Sequence, residues 1–189
     1  MAKIILASQS PRRKQLMEAA ELEFDIIIAD VDETNPPGMS GHLVPEFLAK
    51  KKAAAIRHRT PSEAIILAAD TVVLLDDEIL GKPQDAAHAK EILAKLSGRK
   101  HEVVTGVCMQ QGAKQISFSV TTEVYFRPLS EAQIEHYVAN YQPFDKAGAY
   151  AIQEWIGMIG IEKIVGDYYN VMGLPIGEVV KKLSMFRSM

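Results

Sequence analysis

The chain has 189 residues, 48% of them hydrophobic and 24% charged, enough apolar surface to bury a core, so disorder is excluded as its main state. Its 21 basic and 24 acidic side chains leave a formal charge of −3, which argues against a general nucleic-acid or membrane-surface binder. The one cysteine, Cys108, has no intrachain disulfide partner. The longest apolar stretch, Ala64 to Leu75, is interrupted by Asp70 and too short for a bilayer. The opening MAKIILASQSPRR carries only four consecutive apolar residues, Ile4 to Ala7, too few for a secretory core. These features predict a cytoplasmic protein whose residues 1–189 form a single domain, at most two small lobes.

Apolar runs of strand length alternate with segments of helical period, the pattern of an α/β fold. Ile4 to Ala7 reads as a buried strand. Ser10-Pro11 then opens a helix, with serine as N-cap, proline at the first helical position and Leu16, Met17 and Ala20 as its apolar stripe. Phe24 to Ala29 reads as a second strand, followed by a loop from Val31 to Gly41 that holds Asn35-Pro36-Pro37-Gly38. Pro45 to Arg59 is helical, with Leu48 and Ile56 on one face. Ala64 to Ala69 reads as a strand buried on both sides, and Val72–Leu75 and Glu78–Leu80 flank an Asp76-Asp77 hairpin turn. Asp85 caps a helix that buries Ala89, Ile92, Leu93 and Leu96 and stops at Gly98. Glu102–Met109 and Gln115–Phe126 read as antiparallel strands around Gln111-Gly112-Ala113. Ser130 and Gln133 form a capping box for a helix carrying Ile134, Tyr137, Val138 and Tyr141. A last helix follows Pro175, with Ile176, Val179, Val180, Leu183 and Phe186 on its apolar face. Hairpins together with crossover helices predict a mixed sheet flanked by helices.

Three places carry chemistry. Ser8-Gln9-Ser10-Pro11-Arg12-Arg13 joins a strand to a helix start, whose free N–H groups attract an anion. Arg12 and Arg13 sit there against the helix dipole, an arrangement that a bound phosphate relieves, although two solvated arginines fit the pattern equally well. Lys52 lies on the apolar face of its helix, four residues from both Leu48 and Ile56; spacing alone favours snorkelling to water over an acidic partner. Asp70 ends the apolar run Ile65–Ala69, where a strand leaves the sheet and where α/β proteins gather ligands; a turn-capping aspartate is the plainer alternative. Asp30, Asp32 and Glu33 follow the second strand, and any of them with Asp70 supplies oxygen ligands for Mg²⁺; spacing does not choose among them. Gly81-Lys82-Pro83 lacks the spacing of a P-loop. No His-Glu-x-x-His pair, zinc-finger spacing, Gly-x-Ser-x-Gly elbow or Gly-x-Gly-x-x-Gly turn occurs. Cys108 reads as a buried, inert thiol, and Tyr168-Tyr169 as core rather than a base-stacking platform.

Six blocks together resemble a known family. They are Ser8–Arg13 (SQSPRR), Ala69-Asp70-Thr71, Gly81-Lys82-Pro83, Leu96-Ser97-Gly98, the run Asp145–Tyr150 (DKAGAY) and Gly166–Pro175 (GDYYNVMGLP). In this order, from residue 4 to about 180, they resemble Maf-family proteins, nucleoside triphosphate pyrophosphatases also named for inhibition of septum formation. The resemblance implies a mixed α/β fold of two lobes with a central cleft, a homodimer, and a divalent metal cation (Mg²⁺, Mn²⁺ or Co²⁺) as cofactor. It implies that Asp70 is the catalytic proton acceptor, that Ser8, Arg12, Arg13, Lys52 and Lys82 hold phosphate, and that Glu33 shares the metal with Asp70. Ala149-Tyr150-Ala151-Ile152-Gln153 resembles the branch acting on dTTP, UTP and modified pyrimidine nucleotides, with Arg12, Thr71 and Gln153 at the positions tied to substrate choice. An amide such as Gln153 both donates to and accepts from a pyrimidine edge. Glu154 departs from the branch, which has glycine there. The expected reaction is hydrolysis of a nucleoside triphosphate to the monophosphate and pyrophosphate. The rival expectation is a nucleotide-sensing regulator of division with little catalysis.

Overall fold

Backbone pairing in this chain begins with a short buried strand, β1 (Ile4–Leu6), flanked by parallel partners on both sides. These are β2 (Phe24–Ile26), with Ile4 opposite Phe24, and β3 (Ile65–Leu75), with Ile4 opposite Ile65. The computed structural model describes residues 2–188. Between the first strands run α1 (Pro11–Ala19) and α2 (Val44–Ile56), the latter continued by a 3₁₀ turn at Arg57–Arg59. The chain goes on through β4 (Glu78–Leu80), α3 (Ala86–Leu96), β5 (Lys100–Gln111), β6 (Lys114–Phe126) and α4 (Glu131–Tyr141). It closes with α5 (Trp155–Gly160), β7 (Ile161–Val165), α6 (Tyr168–Met172) and α7 (Ile176–Ser188). The strands form one seven-stranded sheet in the order β2-β1-β3-β5-β6-β7, with β4 paired to β3. β4 is antiparallel to β3 and β7 to β6, so the sheet is mixed and the α/β expectation holds. Among the described residues no helix is long and apolar enough to cross a membrane.

The helix starts form as the sequence predicts. The Ser10 hydroxyl accepts from the Arg13 N–H, Asp85 accepts from the His88 N–H at 2.8 Å, and Ser130 with Gln133 closes a reciprocal capping box. α3 buries Ala89, Ile92, Leu93 and Leu96, the four residues its period selects. Two expectations change. The second strand is shorter than Phe24–Ala29, because only Phe24–Ile26 find ladder partners on β1. The runs on either side of Asp70 are one strand: β3 continues through Asp70 and Thr71 to Leu75. Ion pairing inside the fold satisfies the carboxylate, so it does not end the strand.

The chain divides into two compact units: residues up to Thr71 with Thr105–Val120 and Gly173 onward, and Val72–Val104 with Thr121–Met172. In the first unit α2 lies on the sheet, and Ala49, Ala53 and Ile56 share a core cluster with Ile5, Ala7, Ile66, Ala68 and Cys108. The approach is close because the contacting residues are small. A Cβ on Gly106 would fall 2.2 Å from the Glu46 nitrogen, so glycine alone lets the start of α2 rest on β5. Burial pushes the Cys108 thiol up to about 11, which makes it the inert thiol expected.

In the second unit His101, Phe126 and Tyr150 meet edge to face with ring centroids 5.0 to 5.4 Å apart. His101 Nε2 lies 2.8 Å from the Tyr150 hydroxyl, its Nδ1 has no hydrogen-bond partner among the described residues, and burial pushes its pKa down to about 3. Gly148 has φ +69°, and its N–H donates to the Gly81 carbonyl at 3.1 Å, tying together two of the sequence blocks.

Candidate active site

Side-chain alternation along β3 sets the first cluster. Ile66, Ala68 and Asp70 share one face, and Ile66 and Ala68 pack against α2. Asp70 therefore projects toward the helix that carries Lys52. The Lys52 ammonium lies 2.6 Å from Asp70 Oδ1 and 2.7 Å from Glu33 Oε1. Lys52 and Asp70 are each only 8% exposed, so the lysine is a buried partner of two acids and does not snorkel. Glu33 comes from the loop after β2 and is half exposed. Asp32 instead accepts from the Thr34 N–H and hydroxyl, and those bonds hold its carboxyl below the usual range. The structure thus separates Glu33 from its neighbours where spacing did not.

The second cluster forms at the start of α1. The Ser8 hydroxyl accepts from the Ser10 N–H at 3.1 Å and from Arg13 Nη1 at 3.3 Å. Arg13 also donates from Nε to the Gly173 carbonyl (2.8 Å) and from Nη2 to the Thr71 hydroxyl (3.1 Å). The Thr71 and Thr105 hydroxyls lie 2.9 Å apart. Burial lowers the Arg13 pKa, while the negative charge of Asp70, and less that of Glu33, opposes the fall. Arg13 is thus within electrostatic range of the acid pair, so both clusters belong to one neighbourhood of the first unit. Arg12 is half-buried in the first turn of α1, and its charge is felt at Arg13.

Lys82 and Gln153 belong to the second unit, and both are exposed. Lys82 follows Gly81, whose carbonyl is bonded to Gly148; Gln153 ends the turn that leads into α5. Glu154 is the N-cap residue of α5 but caps nothing with its side chain. Its carboxylate accepts from the Tyr137 hydroxyl and lies 3.5 Å from the buried Lys146 ammonium. Tyr168 and Tyr169 are 38% and 49% exposed, contrary to the core reading; the single-turn α6 buries only Asn170 and Met172.

The family model for Maf-like proteins matches residues 3–186 of this chain. The chain belongs to the Maf-like family. Similar curated proteins are the dTTP/UTP pyrophosphatases of Cytophaga hutchinsonii (50% identical, covering 95% of this chain and 82% of that one) and of Phocaeicola vulgatus (44%, covering 96% and 94%). A third, from Bacteroides thetaiotaomicron, is 46% identical over 95% of this chain and 94% of its own.

The Maf-like blocks take distinct physical parts. SQSPRR supplies the α1 start, and the glycine before Leu174-Pro175 gives a backbone carbonyl to Arg13. Leu96-Ser97-Gly98 is structural: the Ser97 hydroxyl accepts the Leu129 N–H at 2.7 Å. Sequence reasoning missed the carbonyl of Gly173 and the hydroxyl of Thr105, since neither a backbone oxygen nor a lone threonine in a strand leaves a pattern. Tyr137 was legible only as an apolar stripe residue, although a phenol on a buried helix face calls for a partner.

Proposed function

We propose that this Maf-like chain, residues 1–189 acting as one domain, is a nucleoside triphosphate pyrophosphatase that cleaves dTTP and UTP, and modified pyrimidine nucleotides, to the monophosphate and pyrophosphate. The observation that carries the reading is the Lys52–Asp70–Glu33 ion cluster, placed beside the α1 start with its two arginines. The names of the curated relatives support the same reaction and the same bases.

A divalent cation is proposed as cofactor, and the residues present fit one. Asp70 Oδ1 and Glu33 Oε1, two hard anionic oxygens, already converge on a single cationic centre, the Lys52 ammonium. Among the described residues no group of three or more His, Cys, Asp and Glu gathers to hold a metal by itself. When bound, the ion would neutralise polyphosphate charge and favour departure of pyrophosphate.

In the proposed reaction a water oxygen attacks the α-phosphorus in line, and the bond from that phosphorus to the bridging oxygen breaks. Asp70 accepts the proton of the water, and the electron pair of the broken bond leaves with pyrophosphate. Lys52 orients Asp70 by its 2.6 Å contact. Ser8, Arg12 and Arg13, at the positive end of the α1 dipole, hold phosphate oxygens. Thr71 keeps Arg13 in place through its hydroxyl. Lys82 and Gln153 of the second unit are proposed as substrate contacts, Gln153 to the pyrimidine edge. A cytoplasmic homodimer acting before modified nucleotides are incorporated completes the proposal.

The test is pyrophosphate release from a panel of nucleoside triphosphates with Mg²⁺, Mn²⁺ or Co²⁺. Selective cleavage of dTTP and UTP supports the reading. Selective cleavage of purine triphosphates overturns the base assignment, and stoichiometric binding without product favours a nucleotide sensor.

A further inference from the structure

The second unit carries a polar network that the proposed chemistry leaves unused. Tyr137 is fully buried on α4, yet its hydroxyl serves both ends of one short turn. It accepts the Ala151 N–H at 3.2 Å and donates to Glu154 Oε2. Burial and the adjoining carboxylate both raise the Tyr137 pKa, so the phenol stays protonated and remains a donor. Lys146, 8% exposed, lies 2.8 Å from Asp145 and 3.5 Å from Glu154, which balances the carboxylate charge. The turn is tight in its backbone as well. The Glu154 N–H bonds the Ala151 carbonyl at 3.1 Å, and a Cβ on Gly157 would fall 1.8 Å from the Ile152 oxygen.

Gln153 is the exposed residue inside this bracket, between buried Ile152 and the anchored Glu154. We propose that Glu154 and Tyr137 are positioning residues that fix Gln153 for recognition of the pyrimidine edge. This inference rests on the base-reading role of Gln153 proposed above. Glu154, where the branch carries glycine, adds a side-chain anchor to the turn instead of disrupting it. Its charge is matched by Lys146, so the anchor forms without an unpaired buried ion.

The experiment uses the whole chain with Tyr137→Phe, Glu154→Ala, Glu154→Gln and Gln153→Ala. Two readouts separate the claims: hydrogen exchange at the Ala151 amide, and KM and kcat for dTTP and UTP. Tyr137→Phe should speed exchange at Ala151. Tyr137→Phe and Glu154→Ala should each raise KM about threefold to tenfold, with a smaller effect on kcat, the scale of one lost hydrogen bond. Glu154→Gln keeps an acceptor for the phenol and should recover most of the loss. If Gln153→Ala raises KM while Tyr137→Phe and Glu154→Ala do not, the positioning inference fails and the base reading stands. If Gln153→Ala leaves KM unchanged, both fail. Unchanged Ala151 exchange in Tyr137→Phe also overturns the inference.

Discussion

The two units use buried charge differently. Around Lys52 one ammonium faces two carboxylates, one of which, Glu33, is half open to solvent. Around Tyr137 the phenol and Lys146 both meet Glu154, at the end of a single short turn. The first arrangement suits a site where charge develops and moves during reaction; the second suits a part that has to hold still. Substitutions in the first region are therefore expected to cost turnover as well as stability, and those in the second to cost stability or apparent affinity.

Lys52→Met is the harshest way to break the contrast. It leaves the buried Asp70 without its cation and should lower unfolding free energy by about 3 kcal/mol or more, read by urea denaturation. Turnover should also fall by about a hundredfold or more, since the proposed general base loses its orientation. A variant as stable as the parent would mean that the ion cluster contributes nothing to the fold. Tyr150→Phe probes the quiet region. It deprives His101 Nε2 of its hydroxyl partner and should cost about 1–3 kcal/mol in the same measurement.

His101 sharpens the comparison through pH. Its folded pKa lies near 3 against an ordinary 6.5, because burial disfavours the imidazolium. Between those values the unfolded chain binds a proton that the folded chain refuses, so stability is full above about 6.5 and falls as pH drops toward about 3. The melting temperature of His101→Gln should accordingly decline less steeply than wild type between pH 6.5 and 4, and parallel curves would remove His101 as the cause. The smallest effect is Ser130→Ala, which removes one half of the α4 capping box and should cost about 1 kcal/mol by urea denaturation.

Much of the framework was legible because helix starts announce themselves chemically: Ser10-Pro11, Asp85 and the Ser130–Gln133 box each cap the helix expected of them. Segments without such marks were missed. β7 presents Glu162 and Lys163 to solvent and buries none of its residues, so it has no apolar signature. α5 and α6 are too short to display a period. In the candidate site, Asp70 stood out as a charge ending an apolar run. The partnership of Lys52 with Asp70 and Glu33 was hidden, because it joins a helix, a strand and a loop far apart in sequence. Only the family resemblance pointed to those residues together. The ordering of Arg13 on the Gly173 carbonyl, across 160 positions of chain, had no local sequence mark.

Asp70 is proposed to perform proton transfer and not merely to anchor Lys52. The most direct test is pyrophosphate release from dTTP and UTP with Mg²⁺ by wild type and Asp70→Asn, with thermal unfolding recorded on the same samples. The variant is expected to lose at least about a hundredfold in turnover, in protein that still unfolds cooperatively. An Asp70→Asn protein that keeps most of the wild-type turnover would contradict the proposed role.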